Sequence, residues 1–102
     1  MSNNLHVIVL FTLKNRELFS REDFREQLTL FVRRTRRAPG NLLSVLLKSP
    51  DDPAEMCFSQ VWENQKALDA HLESDYFRDF APLIGKHMYS LAPRIMTEVT
   101  SI

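Results

Sequence analysis

Cysteine and glycine are scarce in this sequence of 102 residues, which contains one cysteine, Cys57, and two glycines. A lone cysteine excludes an internal disulfide framework and a cysteine-rich zinc site, and it is typical of a protein in a reducing compartment. The sequence has no Gly-rich phosphate loop, nucleophile elbow or dinucleotide-binding fingerprint. No chemistry that depends on those motifs is predicted.

The sequence also lacks an excess of charge of either sign, because 13 lysines and arginines balance 13 aspartates and glutamates. No long-range field is available to attract nucleic acid or an anionic membrane, so neither partner is expected. The apolar run from Val7 to Leu13 is too short and wrongly flanked for a signal peptide or a membrane span. We expect a cytoplasmic protein in which residues 1–102 form one domain, because 44% hydrophobic residues suffice for a core.

The first half of the sequence predicts a strand followed by a long helix. Residues 6–14 read HVIVLFTLK, a β-branched and aromatic run that is typical of a strand covered on both faces. Ser20 and Asp23 have the spacing of a capping box, which predicts the start of a helix that ends near Arg37. The arginines between 33 and 37 are interpreted as a solvated helix end that complements the helix dipole, not as a nucleic-acid patch.

The second half predicts a hairpin, two short helices and a last strand. Strands over 41–48 and 55–63 flank the turn-rich segment SPDDPA. Asn64 is expected to cap a helix that ends near Leu72, and either Ser74 or Asp75 is expected to cap the next helix. The segment after Pro93 reads RIMTEVTSI and predicts the final strand.

This order of elements predicts an α+β protein with the ferredoxin-like βαββααβ sandwich, in which a four-stranded antiparallel sheet carries its helices on one face. The other face would lie open to water, although the first two strands are apolar on both sides. A second copy of the chain is the simplest cover for that face. We therefore expect a homodimer formed through the sheet faces.

The segment APGNLLSVLLKSPDDPAEMCFSQVWENQKALDAHLESDYF, residues 38–77, resembles the central signature of the antibiotic biosynthesis monooxygenase family. The resemblance rests on Pro39 and Gly40 before the second strand, the D-D-P turn, Trp62 at the end of the third strand, and A-L-x-A-H-L-x-S-x-x-F across the two short helices. It implies a dimeric α/β barrel with a pocket between the sheet and the helices of each subunit. It also implies oxygenation of aromatic polyketides or quinols without a cofactor, although relatives degrade haem or isomerise a small phosphorylated ligand.

Two residues are the candidate catalytic groups under this resemblance. Trp62 is expected to face the pocket, where its indole can stack on an aromatic substrate and donate a hydrogen bond; the alternative is a core residue under the helices. His71 matches a recurrent histidine of the family and can accept the proton of a phenol. The alternative for His71 is a histidine that only satisfies the end of its helix.

Six further residues are candidate substrate-binding groups. The period of two along a strand places Phe58 and Gln60 on the same face as Trp62, and Gln60 stands where many family members have a glutamate. Thr12 falls about where some relatives place a pocket asparagine. The remaining three come from the last helix, with core or rim placement as the alternative: Tyr76, Phe80 and His87.

The sequence therefore predicts a cofactor-independent monooxygenase that acts on a small phenol, quinol or polyketide-like compound. No metal is expected, because the three histidines lack ligand-like spacing. Haem breakdown is disfavoured, because Ala81 aligns with the iron-binding histidine of the haem-degrading relatives. The alternatives are a non-catalytic dimeric module that binds a small aromatic ligand, and an isomerase of a phosphorylated ligand, for which only Lys86 and Arg94 offer cationic groups.

Overall fold

The structure is a computed structural model that describes residues 4–100. Five strands and three α-helices follow the predicted order, except that a short strand that was not predicted precedes the last one; one 3₁₀ helix lies between the first strand and the first α-helix. The elements are β1 (Leu5–Leu13), the 3₁₀ helix (Arg16–Ser20), α1 (Glu22–Arg36), β2 (Asn41–Lys48), β3 (Glu55–Trp62), α2 (Gln65–Leu72), α3 (Asp75–His87), β4 (Met88–Ser90) and β5 (Arg94–Thr97).

The strands form one antiparallel sheet in the order β2-β3-β1-β4, and β5 also pairs with β1. This arrangement confirms the α+β ferredoxin-like prediction. The fourth position of the sheet holds two short strands, because β4 pairs with the end of β1 and β5 pairs with its start. The break falls at residues 91–93, where Pro93 has no N–H to donate to the ladder. Residues 101–102 of the predicted last strand lie outside the described range.

The predicted start of α1 is wrong. Ser20 belongs to the 3₁₀ helix, and its hydroxyl donates to the carbonyl of Glu17 at 2.6 Å, so it does not cap α1. Asn15 caps the 3₁₀ helix by accepting from the N–H of Glu17. The α1 cap is Arg21, which makes no side-chain capping bond and instead pairs with Asp23 at 3.0 Å. The hydrogen bond from Arg21 lowers the pKa of Asp23.

The two short helices begin where their caps predict. The side-chain oxygen of Asn64 accepts from the N–H of Ala67 at 2.9 Å, and α2 begins at the next residue, Gln65. Ser74 is the cap of α3, because its hydroxyl oxygen accepts from the N–H of Phe77 at 3.2 Å. Each cap satisfies a backbone donor that has no partner within its own helix.

Gly40 sets the approach of α2 to the turn between α1 and β2. Its φ of +82° lies in the left-handed region that favours glycine. A Cβ at this position would lie 2.5 Å from the Cβ of Ala67, closer than two carbon atoms can pack. Gly40 therefore has a packing role as well as a turn role.

The two faces of the sheet differ in their surroundings. On β1, Val7 and Phe11 are buried under the helices, whereas Ile8 and Leu10 alternate with them on the outer face. Leu10 is 51% exposed and lies in a row with Cys57 and Leu47, which is 52% exposed. The outer face is thus a largely apolar surface that the described residues leave uncovered. Within residues 4–100, no helix is long and apolar enough to cross a membrane.

Candidate functional site

A cavity of about 250 Å³ lies between the inner face of the sheet and the helices. Its lining is apolar apart from Gln60, His71 and Ser90. Such a site favours an apolar ligand that is oriented by a few polar groups. The other lining residues are Val7, Val9, Phe11, Phe31, Phe58, Leu68, Leu72, Phe77, Phe80, Ile84, Met88, Leu91, Pro93 and Ile95.

Aromatic rings form one wall of the cavity. Phe31 of α1 and Phe80 of α3 stack with ring centroids 4.0 Å apart and planes 12° from parallel. Phe58 of β3 contacts Phe31 edge-on at 5.5 Å and stacks on Phe11 at 5.1 Å. Residues of the helices and of two strands therefore present ring faces and edges to the same space, which suits a planar aromatic ligand.

His71 is the one imidazole in the lining, and it is 4% exposed. Its ring lies 4.7 Å from the ring of Trp62, and its Nδ1 forms a hydrogen bond with the hydroxyl of Tyr76. Either atom can be the donor, depending on the tautomer of the imidazole. Burial lowers the pKa of His71 from 6.5 to about 4, because removal from water disfavours the charged form. At neutral pH the imidazole is uncharged.

Tyr76 is part of the site through His71 and does not line the cavity. Burial raises the pKa of its phenol, and the hydroxyls of Ser74 and Thr35 partly oppose that effect. The phenol and the imidazole therefore form an uncharged pair at neutral pH. Tyr76 lines a second concave surface that shares His71 with the cavity, and we call this surface the outer cleft. Its lining is Arg34, Arg37, Ala38, Pro39, Ala67, Ala70, His71, Ser74 and Tyr76.

Trp62 lies on the predicted face of the sheet, but it does not line the cavity. It is fully buried, and it packs against Val7 and Leu68. Its indole N–H donates to the side-chain oxygen of Gln60 at 3.0 Å. The expectation that this N–H faces a substrate is therefore corrected, because Gln60 already accepts the bond.

The hydrogen bond from Trp62 fixes the orientation of the Gln60 amide. An indole N–H is only a donor, so the atom it contacts must be the carbonyl oxygen of Gln60. The amide nitrogen of Gln60 is then the end that remains for a ligand, and Gln60 lines the cavity. Trp62 is thus a positioning residue for Gln60.

The structure brings four of the predicted site residues to the cavity: Phe58, Gln60, His71 and Phe80. Thr12 lies on the outer face of β1, opposite the exposed Tyr89 of β4, so its predicted pocket position is wrong. His87 packs edge-on against Phe24 with ring centroids 5.5 Å apart, and it does not line the cavity. Lys86 and Arg94 are also absent from the lining, so no cation stands in the cavity wall.

The C-terminal segment supplies a wall of the cavity that sequence analysis missed. Ser90, Leu91, Pro93 and Ile95 all line it. Ile95 pairs with Val7 and shares its inward phase, so strand alternation was the available signal. Phe31 and Phe77 lie on the apolar faces of α1 and α3, but a helical apolar pattern does not distinguish a core residue from a cavity wall.

No group of three or more histidine, cysteine, aspartate and glutamate side chains within residues 4–100 is arranged to hold a metal ion. The polar groups of the cavity wall are an imidazole, an amide and a hydroxyl. These three groups can transfer a proton and form hydrogen bonds with a ligand.

Comparison with known proteins identifies the family. The family model described as antibiotic biosynthesis monooxygenase matches residues 5–83, which is most of the chain. The chain belongs to the antibiotic biosynthesis monooxygenase family. This result confirms the resemblance found in residues 38–77. The match covers β1 through most of α3, including every cavity residue up to Phe80.

Solved structures share the fold over nearly the whole chain. A crystal structure of an antibiotic biosynthesis monooxygenase superposes with a TM-score of 0.82 at 26% identity, over 94% of this chain and 99% of the other. A structure of SnoaB, a cofactor-independent oxygenase from Streptomyces nogalater, superposes with a TM-score of 0.83 at 17% identity, over 99% and 98% of the two chains. A conserved protein of unknown function from Bacteroides thetaiotaomicron has a TM-score of 0.80 at 14% identity, over 94% and 98%. No curated protein matches this chain.

Proposed function

We propose that this protein is a cofactor-independent monooxygenase that acts on a small electron-rich aromatic compound, such as a phenol, a quinol or a polyketide-like ring system. The observation that carries the proposal is an apolar, aromatic-walled cavity whose few polar groups include one uncharged imidazole and one oriented amide. Membership of the monooxygenase family and the similarity to SnoaB support the same reaction class.

The electrons for such a reaction must come from the substrate when no redox group is bound. A ring methylene conjugated to a phenol satisfies the balance as R₂CH₂ + O₂ → R₂C=O + H₂O. Two C–H bonds break, one C=O bond forms, and the second oxygen atom leaves as water with the two hydrogens. Ionisation of the phenol raises the electron density of the ring, so the protein has to accept one proton and hold the resulting anion.

His71 is the proposed proton acceptor. Its neutral form predominates at neutral pH, because burial holds its pKa near 4. In the tautomer whose Nδ1–H donates to the Tyr76 oxygen, Nε2 keeps a lone pair for the phenol proton. Although an imidazole with a low pKa is a weak base, a phenolate formed beside it favours the imidazolium in a cavity of low dielectric constant.

Gln60 is the proposed partner of the substrate oxygen. Trp62 holds its carbonyl oxygen, so its amide N–H groups can donate to a phenolate or a developing ketone. The stacked rings of Phe31 and Phe80 offer a surface for the aromatic substrate. Because an apolar cavity of about 150 Å³ is known to hold benzene, the volume of about 250 Å³ suits about two fused rings.

We further propose a homodimer in which two copies cover each other's outer sheet faces. The uncovered row of Leu10, Cys57 and Leu47 supports this assembly, because neighbouring apolar side chains exposed on one face usually belong to an interface. Leu10→Asp and Leu47→Asp are expected to shift the protein to monomers in analytical ultracentrifugation. Leu30→Asp, an exposed leucine on α1, is the control. A wild-type monomer would refute the assembly.

The lone Cys57 supports a cytoplasmic location.

A non-catalytic dimeric module that binds a small aromatic ligand is the second candidate. Two observations favour it: the indole N–H of Trp62 is already engaged, and Thr12 lies away from the cavity. In this case the cavity and its polar groups would hold a ligand without converting it. Ligands would then raise the melting temperature and be recovered unchanged.

Oxygen uptake decides between these functions. Metal-free protein is mixed with a panel of quinols and ring-methylene phenols, and oxygen consumption and products are measured. We expect uptake above that of buffer, at least about 10-fold lower uptake in His71→Gln, and unchanged uptake in His87→Gln, which lies off the cavity. Uptake equal to buffer across the panel would sink the oxygenase proposal. Equal rates in wild type and His71→Gln would remove His71 as the base.

A further inference from the structure

The outer cleft is a separate concave surface of about 430 Å³, formed where the end of α1 meets α2 and the start of α3. His71 forms part of its wall as well as part of the cavity wall. Tyr76, which is hydrogen bonded to His71, lines only the outer cleft of the two. A group bound there would contact both members of the imidazole pair from outside the cavity.

Two guanidinium groups of the outer cleft have no carboxylate partner. Within residues 4–100 neither Arg34 nor Arg37 forms an ion pair, and no acidic residue lines the cleft. Several other arginines are already engaged with carboxylates or backbone carbonyls: Arg16, Arg21, Arg25, Arg36 and Arg78. Two cations in one concavity repel each other. An oxyanion between them offsets that repulsion and accepts hydrogen bonds from both guanidinium groups.

The remaining surface of the outer cleft limits the kind of anion it can hold. Its apolar part consists of short side chains, namely Ala38, Pro39, Ala67 and Ala70. This surface leaves room for a compact apolar body and offers it no hydrogen bonds. The uncharged His71 and Tyr76 add polar atoms to the wall without adding a negative charge that would repel an anion.

We propose that the outer cleft is a second binding site, distinct from the cavity, which takes a small organic oxyanion: a carboxylate or a phosphate ester with a short apolar body, held by Arg34 and Arg37 against His71 and Tyr76. The site does not depend on the reaction proposed for the cavity. It uses the buried histidine as a shared wall, so an anion bound on the outer side favours the imidazolium form of His71.

The test is a titration of the full protein with propionate, methyl phosphate and inorganic phosphate at constant ionic strength. The imidazole C–H signals are followed by NMR, and the His71 signal is assigned from its absence in His71→Gln. We expect a saturable shift of the His71 signal. Arg34→Gln and Arg37→Gln, both substitutions at exposed positions, are each expected to weaken binding by about 10-fold or more. Tighter binding of propionate identifies a carboxylate, and tighter binding of either phosphate identifies a phosphate group.

Arg33→Gln is the matched control, because Arg33 lies in the same helix end but lines a different cleft, beside Leu28 and Val32. Binding within about twofold of wild type in this variant supports the assignment to the outer cleft. Equal weakening by Arg33→Gln would show unspecific attraction to the basic helix end and would overturn the proposal. The absence of a saturable His71 shift with all three probes would overturn it as well.

Discussion

The burial of His71 predicts a specific loss of stability in acid. In the folded protein its pKa is about 4, whereas the ordinary value is 6.5. Between these values the unfolded chain binds a proton that the folded chain does not, so this contribution to stability is complete above the ordinary pKa and is lost as the pH falls to about 4. The limit is about 3 kcal/mol, at about 1.4 kcal/mol per tenfold change, and about 2 kcal/mol of it is lost between pH 7 and pH 4.5.

Urea unfolding of wild type and His71→Gln at several pH values between about 7 and 4.5 measures this contribution. The carboxylates titrate in both proteins, so the difference between the two curves isolates His71. We expect wild type to lose about 2 kcal/mol more than the variant over this range. His87→Gln is the control, because His87 is less buried than His71 although its pKa is also lowered, chiefly by desolvation. Parallel curves for wild type and His71→Gln would refute the reasoning.

Three further changes test the packing by urea unfolding. Gly40→Ala is expected to lower the free energy of unfolding by about 2 kcal/mol, because Gly40 has a positive φ and the Cβ of Ala67 lies close to it. Gly85→Ala is the control and is expected to be neutral or stabilising, because a Cβ there would meet nothing within 4 Å. Equal effects of the two substitutions would contradict this account. Leu28→Ala, at a core position 1% exposed, is expected to cost about 3 kcal/mol, and a loss below about 1 kcal/mol would contradict its core role. Ser44→Ala is expected to be neutral or to stabilise by up to about 1 kcal/mol, because within residues 4–100 the buried hydroxyl has no hydrogen-bond partner; a clear loss of stability would show that the hydroxyl is satisfied.

Local signals in the sequence predicted the fold well. Asn64 and Ser74 cap helices through bonds that span three residues, so the pattern contains the whole interaction. Ser20 has a comparable pattern, but its hydroxyl donates to the carbonyl of Glu17 in the preceding turn. A capping rule does not include this alternative partner. Pro93 is a local sign of the break in the last sheet position, but the pairing of residues 88–90 with the distant β1 has no such sign and was not predicted.

The candidate site was predictable only in part, because strand phase and cavity lining are set by tertiary contacts. The phase of β3 was correct, since Phe58 and Gln60 line the cavity. The phase of β1 was ambiguous, because the strand is apolar on both faces, and Thr12 was therefore placed on the wrong side. Trp62 faces the helices as predicted, but it does not line the cavity. Its contacts with Gln60 and Leu68 depend on tertiary packing, which no spacing rule predicts.

His71 lies in the wall of both concave surfaces. A charged group bound in either one therefore changes the free energy of its imidazolium form. Burial in the apolar cavity wall disfavours the imidazolium, which keeps His71 uncharged at neutral pH. In the proposed reaction, a phenolate formed in the same cavity would attract the imidazolium strongly at the low dielectric constant, and this attraction would offset the cost of burial. Burial is the cause of the lowered pKa of His71, and the arginines of the outer cleft are exposed to water. An oxyanion bound in the proposed outer site would place a negative charge beside the His71 imidazole, and its occupancy would therefore raise the pKa of His71.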